Sequence, residues 1–364
     1  MKFYIIASLS LLFYSLPVIS QNTVKMSAVK GNNYGVAYSL PKTLVKVKVT
    51  YTKTTKRVGG FGGFYQFAER FLNISDPITA DGVTYSIDRI EASIEGVVDK
   101  EKSYLVEFKS NTVAPFVTLS KDGLICAINS DYEFDVDKNG KEQEAAVIPL
   151  KPVDANAFLT EEILRAGSTI KQAELVAKKI YALRETRTAI LTGEADTMPP
   201  DGEAYKIVMG ELTEQEKALT ELFSGSVTTE TISKEFIVIP DDKNIDKKVL
   251  FRFSANLGVV DAGDLSGAPV YLSLTNKEPK EEVFLTPKEE KEMVKKFSKG
   301  IIYNIPSKAA LNVTYNGKAF VDKECDIVQY GSQDVLTPEM FDNKKTPIKV
   351  IFYPELGAVK QIIQ

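Results

Sequence analysis

The side chains best suited to chemistry crowd into one stretch, Thr169 to Gly225. Arg184 and Arg187 stand near the end of a helical pattern there, and Arg187 interrupts its apolar stripe between Leu183 and Ile190. Beyond them, the loop GEADTMPPDGEA carries Glu194, Asp196, Asp201 and Glu203. Two cations beside four carboxylates fit two readings. One is an anion or metal site at the tip of a helical hairpin. The other is an ion-pair cluster that ties the two arms, with the stem of Arg187 on the apolar face and its head at the edge. Four acids in one turn also suggest a carboxylate hydrolase. A glycosidase, however, needs two carboxyls facing each other across a cleft, about 5 to 10 Å apart.

A second candidate is DYEFDVDKNGKEQE. Asp135, Asp137, Asn139 and Gly140 match the first half of a calcium loop, but Ala146 stands where the bidentate Glu belongs. Asn139-Gly140 is also a tight-turn dipeptide, so an acidic turn between strands competes with calcium. The third pair is Cys126 and Cys325. In an exported chain these could join in one disulfide, and buried free thiols explain them equally well. Histidine is absent, which excludes a Ser-His-Asp triad, a Cys-His pair and His metal ligands.

These residues need elements to position them. Thr169 and Gln172 have capping-box spacing, which predicts a helix over Ile170 to Thr192, roughly 35 Å long. Ile170, Ala173, Val176, Ile180, Leu183 and Ile190 share its apolar face, and Gly193 stops it. Asp201 is placed to cap a second helix with Ala204, Val208, Leu212, Leu219 and Phe223 on one face. Thr213 and Glu216 form another capping-box pair, which predicts a break near Gly210.

Strands are expected on both sides of this hairpin. Val45, Val47, Val49 and Tyr51 alternate with Lys46, Lys48 and Thr50, the pattern of a half-buried strand. VGGFGGF lacks the order of a phosphate loop and reads as a turn that aims Phe61, Phe64 and Tyr65. Thr286, Pro287 and Glu289 predict a capped, solvated helix. Two echoes suggest a duplicated module: Gly35-x-x-Tyr38-x-Leu40-Pro41 with Gly300-x-x-Tyr303-x-Ile305-Pro306, and Leu119-x-x-x-Gly123-x-Ile125-x-x-Ile128 with Tyr353-x-x-x-Gly357-x-Val359-x-x-Ile362.

The expected architecture is therefore α+β: two mainly antiparallel β domains with a long helical hairpin between them. Residues 1–20 read as a signal peptide, with Lys2 before the apolar run Phe3 to Leu16 and cleavage before Gln21. Residues 21–150 form an N-terminal β domain with one short helix, 151–227 the hairpin, and 228–364 a C-terminal β domain with one surface helix. No other stretch has the roughly 18 apolar residues of a membrane span. The 364 residues carry a formal net charge of -4 with no polybasic segment, so nucleic acid and anionic membranes are poor partners.

YSLP, YQFAERFLNIS, KKIYALRETRTAILTGEAD, PPDGEAY and LFSG together resemble an uncharacterised family of exported Bacteroidetes proteins, a domain of unknown function. The resemblance covers nearly the whole chain after residue 20 and implies a Gram-negative envelope setting. It carries no established catalytic residues. The expected function is a non-catalytic, cofactor-free binding or scaffold protein of the periplasm or outer membrane, working through envelope protein partners. The alternatives are a carboxylate hydrolase at the hairpin tip and a calcium-dependent glycan or adhesion module at Asp135, Asp137 and Asn139. The sequence sets no oligomeric state.

Overall fold

A computed structural model describes residues 22–25, 35–60, 63–107, 116–133, 154–200, 202–279, 286–341 and 348–363. The signal-peptide segment, the acidic turn with Asp135, Asp137 and Asn139, and Asp201 lie outside the described residues. In chain order the first strands are β1 (Asn22–Lys25), β2 (Gly35–Arg57), β3 (Gly82–Glu107), β4 (Val117–Leu119) and β5 (Ile125–Ile128), with helix α1 (Ala68–Leu72) between β2 and β3. Helices α2 (Glu161–Arg165), α3 (Thr169–Thr192) and α4 (Glu203–Ser224) follow. Strands β6 (Ser226–Val238), β7 (Ile245–Ser254), β8 (Gly258–Val260) and β9 (Ala268–Asn276) precede α5 (Pro287–Phe297). The chain closes with β10 (Ile301–Tyr315), β11 (Lys318–Leu336), β12 (Lys349–Tyr353) and β13 (Ala358–Ile363).

The α+β class is as expected. The described strands form three sheets, in the orders β1-β3-β2-β6, β11-β10-β9-β7-β8 and β13-β12-β5-β4. All the named strand pairs are antiparallel. Pairing crosses the boundaries drawn from sequence. Strand β6, which follows the hairpin, pairs with β2, which precedes it, and β12 pairs with β5 through Val350–Ile128 and Ile351–Ala127.

Alternation explains the main core. Val45, Val47, Val49 and Tyr51 turn one face of β2 onto Phe251, Leu272, Leu274, Leu311 and Val313 of the second sheet. The hairpins β2–β3 and β10–β11 then continue into a second core. There Tyr38, Leu40, Tyr104 and Val106 meet Ile125, Ile128, Ile301, Val335, Val350 and Phe352. Each long hairpin changes register at a proline. Two steps along β2, Ser39 to Pro41, match five along β3, Ser103 to Val98. Two steps along β10, Ile305 to Ser307, likewise match five along β11, Ser332 to Ile327. Proline has no N–H to give the ladder, so the bulge falls where a donor is missing.

The sequence echoes coincide with this geometry. The backbone N–H of Ser39 donates to the Gly123 carbonyl at 2.9 Å, and that of Asn304, the residue after Tyr303, donates to the Gly357 carbonyl at 2.9 Å. Gly123 and Gly357 have φ of 80° and 62°, a region an L side chain enters only with strain. The two halves thus repeat one construction: a proline-kinked hairpin bonded to a glycine turn. At the junction, buried Asn304 donates to the carbonyls of Pro41 and Leu356 at 3.2 and 3.0 Å. Its Oδ1 accepts from Gln333 Nε2 at 3.2 Å.

Helix α5 has the expected N-terminus. The Thr286 side chain and Glu289 exchange capping-box bonds, and Pro287 opens the helix. Among the described residues no helix is long and apolar enough to cross a membrane.

Candidate functional site

The helical hairpin is anchored at one end only. Ala173, Val176, Ala177 and Ile180 of α3 and Leu219, Leu222 and Phe223 of α4 surround Phe64, Ala68, Leu72 and Ile163. The Phe64 and Phe223 rings lie 5.2 Å apart, so the turn after β2 does deliver an aromatic anchor. Gly59 in this turn serves close packing. A Cβ on Gly59 would fall 2.1 Å from the Leu222 carbonyl oxygen. A cleft of about 570 Å³ opens beside this base, lined in part by Arg57, Asp154, Asn156 and Glu221.

The hairpin departs from the expected caps for local reasons. Ser168, not Thr169, caps α3: its backbone is extended and its hydroxyl accepts from the Lys171 N–H. Gly193 ends the helix with φ of 77°, as its position suggested. Helix α4 starts after Gly202 with no side-chain cap and runs unbroken through Gly210. The Thr213 hydroxyl donates back to the Met209 carbonyl at 2.8 Å, and inside a continuous helix it meets no free N–H groups to cap. Glu216 is engaged elsewhere.

Glu216 is the residue that organises the middle of the hairpin. Its Oε1 accepts from Arg184 Nε at 2.7 Å, and its Oε2 accepts from Arg187 Nη1. The Glu216 side chain is 14% exposed and that of Arg187 32%. The Arg184 guanidinium also covers the Tyr181 ring at 5.5 Å. The expectation that the tip acids neutralise Arg187 is corrected. Among the described residues, Glu194, Asp196 and Glu203 are exposed and pair with neither arginine. Helix α3 ends five residues after Arg187, more than a turn on, and at Gly193 the chain turns out of the helix before it reaches Glu194. A carboxylate at Glu216, across the helix pair, is nearer.

An equal count of turns back from the loop would set Val208 opposite Arg187. The observed partner is Glu216, about two turns later, so the start of α4 overhangs the end of α3. This leaves apolar side chains uncovered at the distal end: Leu191 is 62% exposed and Ile207 59%, and Met198 in the loop is exposed too. Among the described residues, Ile190 is the one apolar side chain of α3 beyond Ile180 that is fully buried.

Cys126 and Cys325 are both free, so the disulfide is not formed. Cys126 sits in β5 with its Sγ on the Leu124 carbonyl, while Cys325 sits in β11 with its Sγ on the Ala309 carbonyl. Burial pushes each thiol up to about 11. A raised thiol pKa means that the folded chain holds its proton more tightly. The stability this contributes is complete below about pH 8.5, the unfolded value, and is lost as pH climbs through about 11. Melting temperature should therefore fall progressively above pH 9, and Cys126→Ala with Cys325→Ala should flatten that fall. A fall identical in the double variant would assign it to other groups. Among the described residues, no group of three or more Cys, Asp or Glu is placed to hold a metal ion.

No curated protein and no solved structure matches the chain. Residues 34–360 match one family model, described as Domain of unknown function (DUF4831). That span takes in both repeated β constructions and the whole helical hairpin. The chain therefore belongs to the DUF4831 family.

Proposed function

We propose that this protein is a non-catalytic binding or scaffold component of the Gram-negative cell envelope, and that the distal end of the helical hairpin carries its contact with an envelope protein partner. The observation behind this reading is the contrast along the hairpin. Its base is buried, its middle is tied by two arginines on one glutamate, and its far end leaves Leu191, Met198 and Ile207 in solvent. Exposed apolar side chains on an anchored element suit a docking surface, because little conformational entropy is lost when a partner covers them. The N-terminal apolar run supports export, and the periplasm or the periplasmic face of the outer membrane is the proposed location.

Leu191→Asp and Ile207→Asp test the reading. Both positions are already solvated, so each variant should keep its melting temperature within about 2 °C, as expected for surface changes within ±0.5 kcal/mol. Recovery of crosslinked envelope partners should drop at least tenfold. Undiminished recovery by both variants would remove the hairpin end from partner binding.

A further inference from the structure

Among the described residues, strand β6 is an edge. It pairs with β2 along its full length, from Ser226–Arg57 to Val238–Val45, and it ends the order β1-β3-β2-β6. In an antiparallel ladder alternate residues turn N–H and C=O away from the neighbour, so the outer side of β6 offers a row of donors and acceptors. Edge strands are commonly blunted by a lysine, and β6 carries Lys234. Glu230 and Lys234, however, stand two positions either side of Ile232, the middle residue of the strand, while the third charge, Glu235, mirrors the uncharged Thr229.

We infer that β6 is the interface for a second copy of this chain, joining two four-stranded sheets edge to edge about a two-fold axis at Ile232. Antiparallel pairing centred there sets Glu230 of each copy opposite Lys234 of the other. It sets exposed Val227, at 55%, opposite exposed Ile237, at 60%, on the outward face. Thr228 then faces Phe236, which is half-buried against the main core. The centred register also gives the greatest overlap. A one-residue slip opposes Glu230 to Glu235 and turns side chains to the wrong face. A two-residue slide places Lys234 against Ile232. Sliding farther, until Glu230 meets Glu230 or Lys234 meets Lys234, opposes like charges over a shorter ladder. A lysine that would repel an unrelated strand thus finds its counter-charge on an identical one. Beside β6 a cleft of about 500 Å³, lined by Phe236, Val259 and Asp261, leaves room for the neighbouring copy's side chains. The inference does not depend on what the helical hairpin binds.

The test is charge reversal read by sedimentation equilibrium of the purified full chain. Wild type should be dimeric, with a dissociation constant on the order of micromolar. Glu230→Lys and Lys234→Glu should each weaken association on the order of tenfold or more, since both symmetry-related pairs become like-charged. An equimolar mixture of the two single variants should associate, and the double variant Glu230→Lys/Lys234→Glu should return to a dimer, because each restores Lys opposite Glu. Glu230 also neighbours Lys53 at 3.6 Å within the chain, so Lys234→Glu and Ile237→Lys, on the outward face, carry the reading if variants with Glu230→Lys fold poorly. A wild type that stays monomeric at about 100 times the expected dissociation constant overturns the inference. So does a dimer indifferent to either reversal, or a double variant that stays monomeric.

Discussion

Replacing Asn304 with alanine should destabilise the protein by about 3 to 5 kcal/mol, read from the midpoint of chemical denaturation. The side chain is 1% exposed and engages three groups from three segments: the carbonyls of Pro41 and Leu356 and the amide of Gln333. Each buried polar group left without a partner costs about 1 to 3 kcal/mol, and the residue they surround would be replaced by a void. Leucine should not rescue the variant, because it fills the space and satisfies none of the three. The equivalent position in the other half is a useful contrast. Ser39 makes a side-chain bond to Ser103 at 2.8 Å in a half-buried setting, so Ser39→Ala should cost only about 0.5 to 1.5 kcal/mol. If Asn304→Ala costs less than about 1 kcal/mol, Asn304 does not tie the two halves together.

The second large effect concerns the clamp on the hairpin. Glu216→Ala should cost about 2 to 3 kcal/mol, more than loss of either arginine. It strands two guanidinium groups that share one mostly covered acceptor, and like charges then face each other. The figure stays below that for a fully buried pair, because both arginines are about a third exposed. Arg187→Ala should cost about 1 to 2 kcal/mol, since Arg184 still neutralises Glu216. Arg187→Leu should cost less again, because the apolar stripe becomes continuous and the stem packing remains. The three residues act as one unit, so the loss in Glu216→Ala/Arg187→Ala should fall well short of the sum of the single losses. Additive losses would show that the contacts are independent of each other. Thermal unfolding of the four variants under one buffer decides this.

The two predictions concern the same kind of fact, a polar residue whose partner lies far away in sequence. Much else was legible locally. The alternation in β2, the 3.6-residue stripe and terminal glycine of α3, and the capping box of α5 each follow from residues within a few positions of one another. The pair of kinks at the two sequence echoes was legible for a related reason. Tyr-x-Leu-Pro and Tyr-x-Ile-Pro mark the same kink in two hairpins, because a missing N–H forces the same bulge wherever it occurs.

Cap choice was less legible. Ser168 and Thr169 are both good caps, and their φ and ψ angles, which the local sequence leaves open, decide between them. Thr213 and Glu216 had the spacing of a capping box, but their side chains found other partners inside a continuous helix. Neighbouring blocks of sequence also suggested separate β domains, whereas β6 adds to the sheet of β2 and β12 adds to β5.

By itself, then, the sequence determined the α+β class, the amphipathic faces, the long hairpin, the twin proline kinks and the absence of histidine chemistry. These depend on backbone restriction, periodicity and composition, which act over a few residues or none. Tertiary structure alone decided that Arg187 meets Glu216 rather than the acids nearer in sequence, that Cys126 and Cys325 are free thiols, and that Asn304 closes the junction of the two halves. Each of those outcomes rests on a distance of a few ångströms between segments that only chain folding brings together. Hydrogen bonds and ion pairs fall away within that distance, so sequence proximity is no guide to which partner wins.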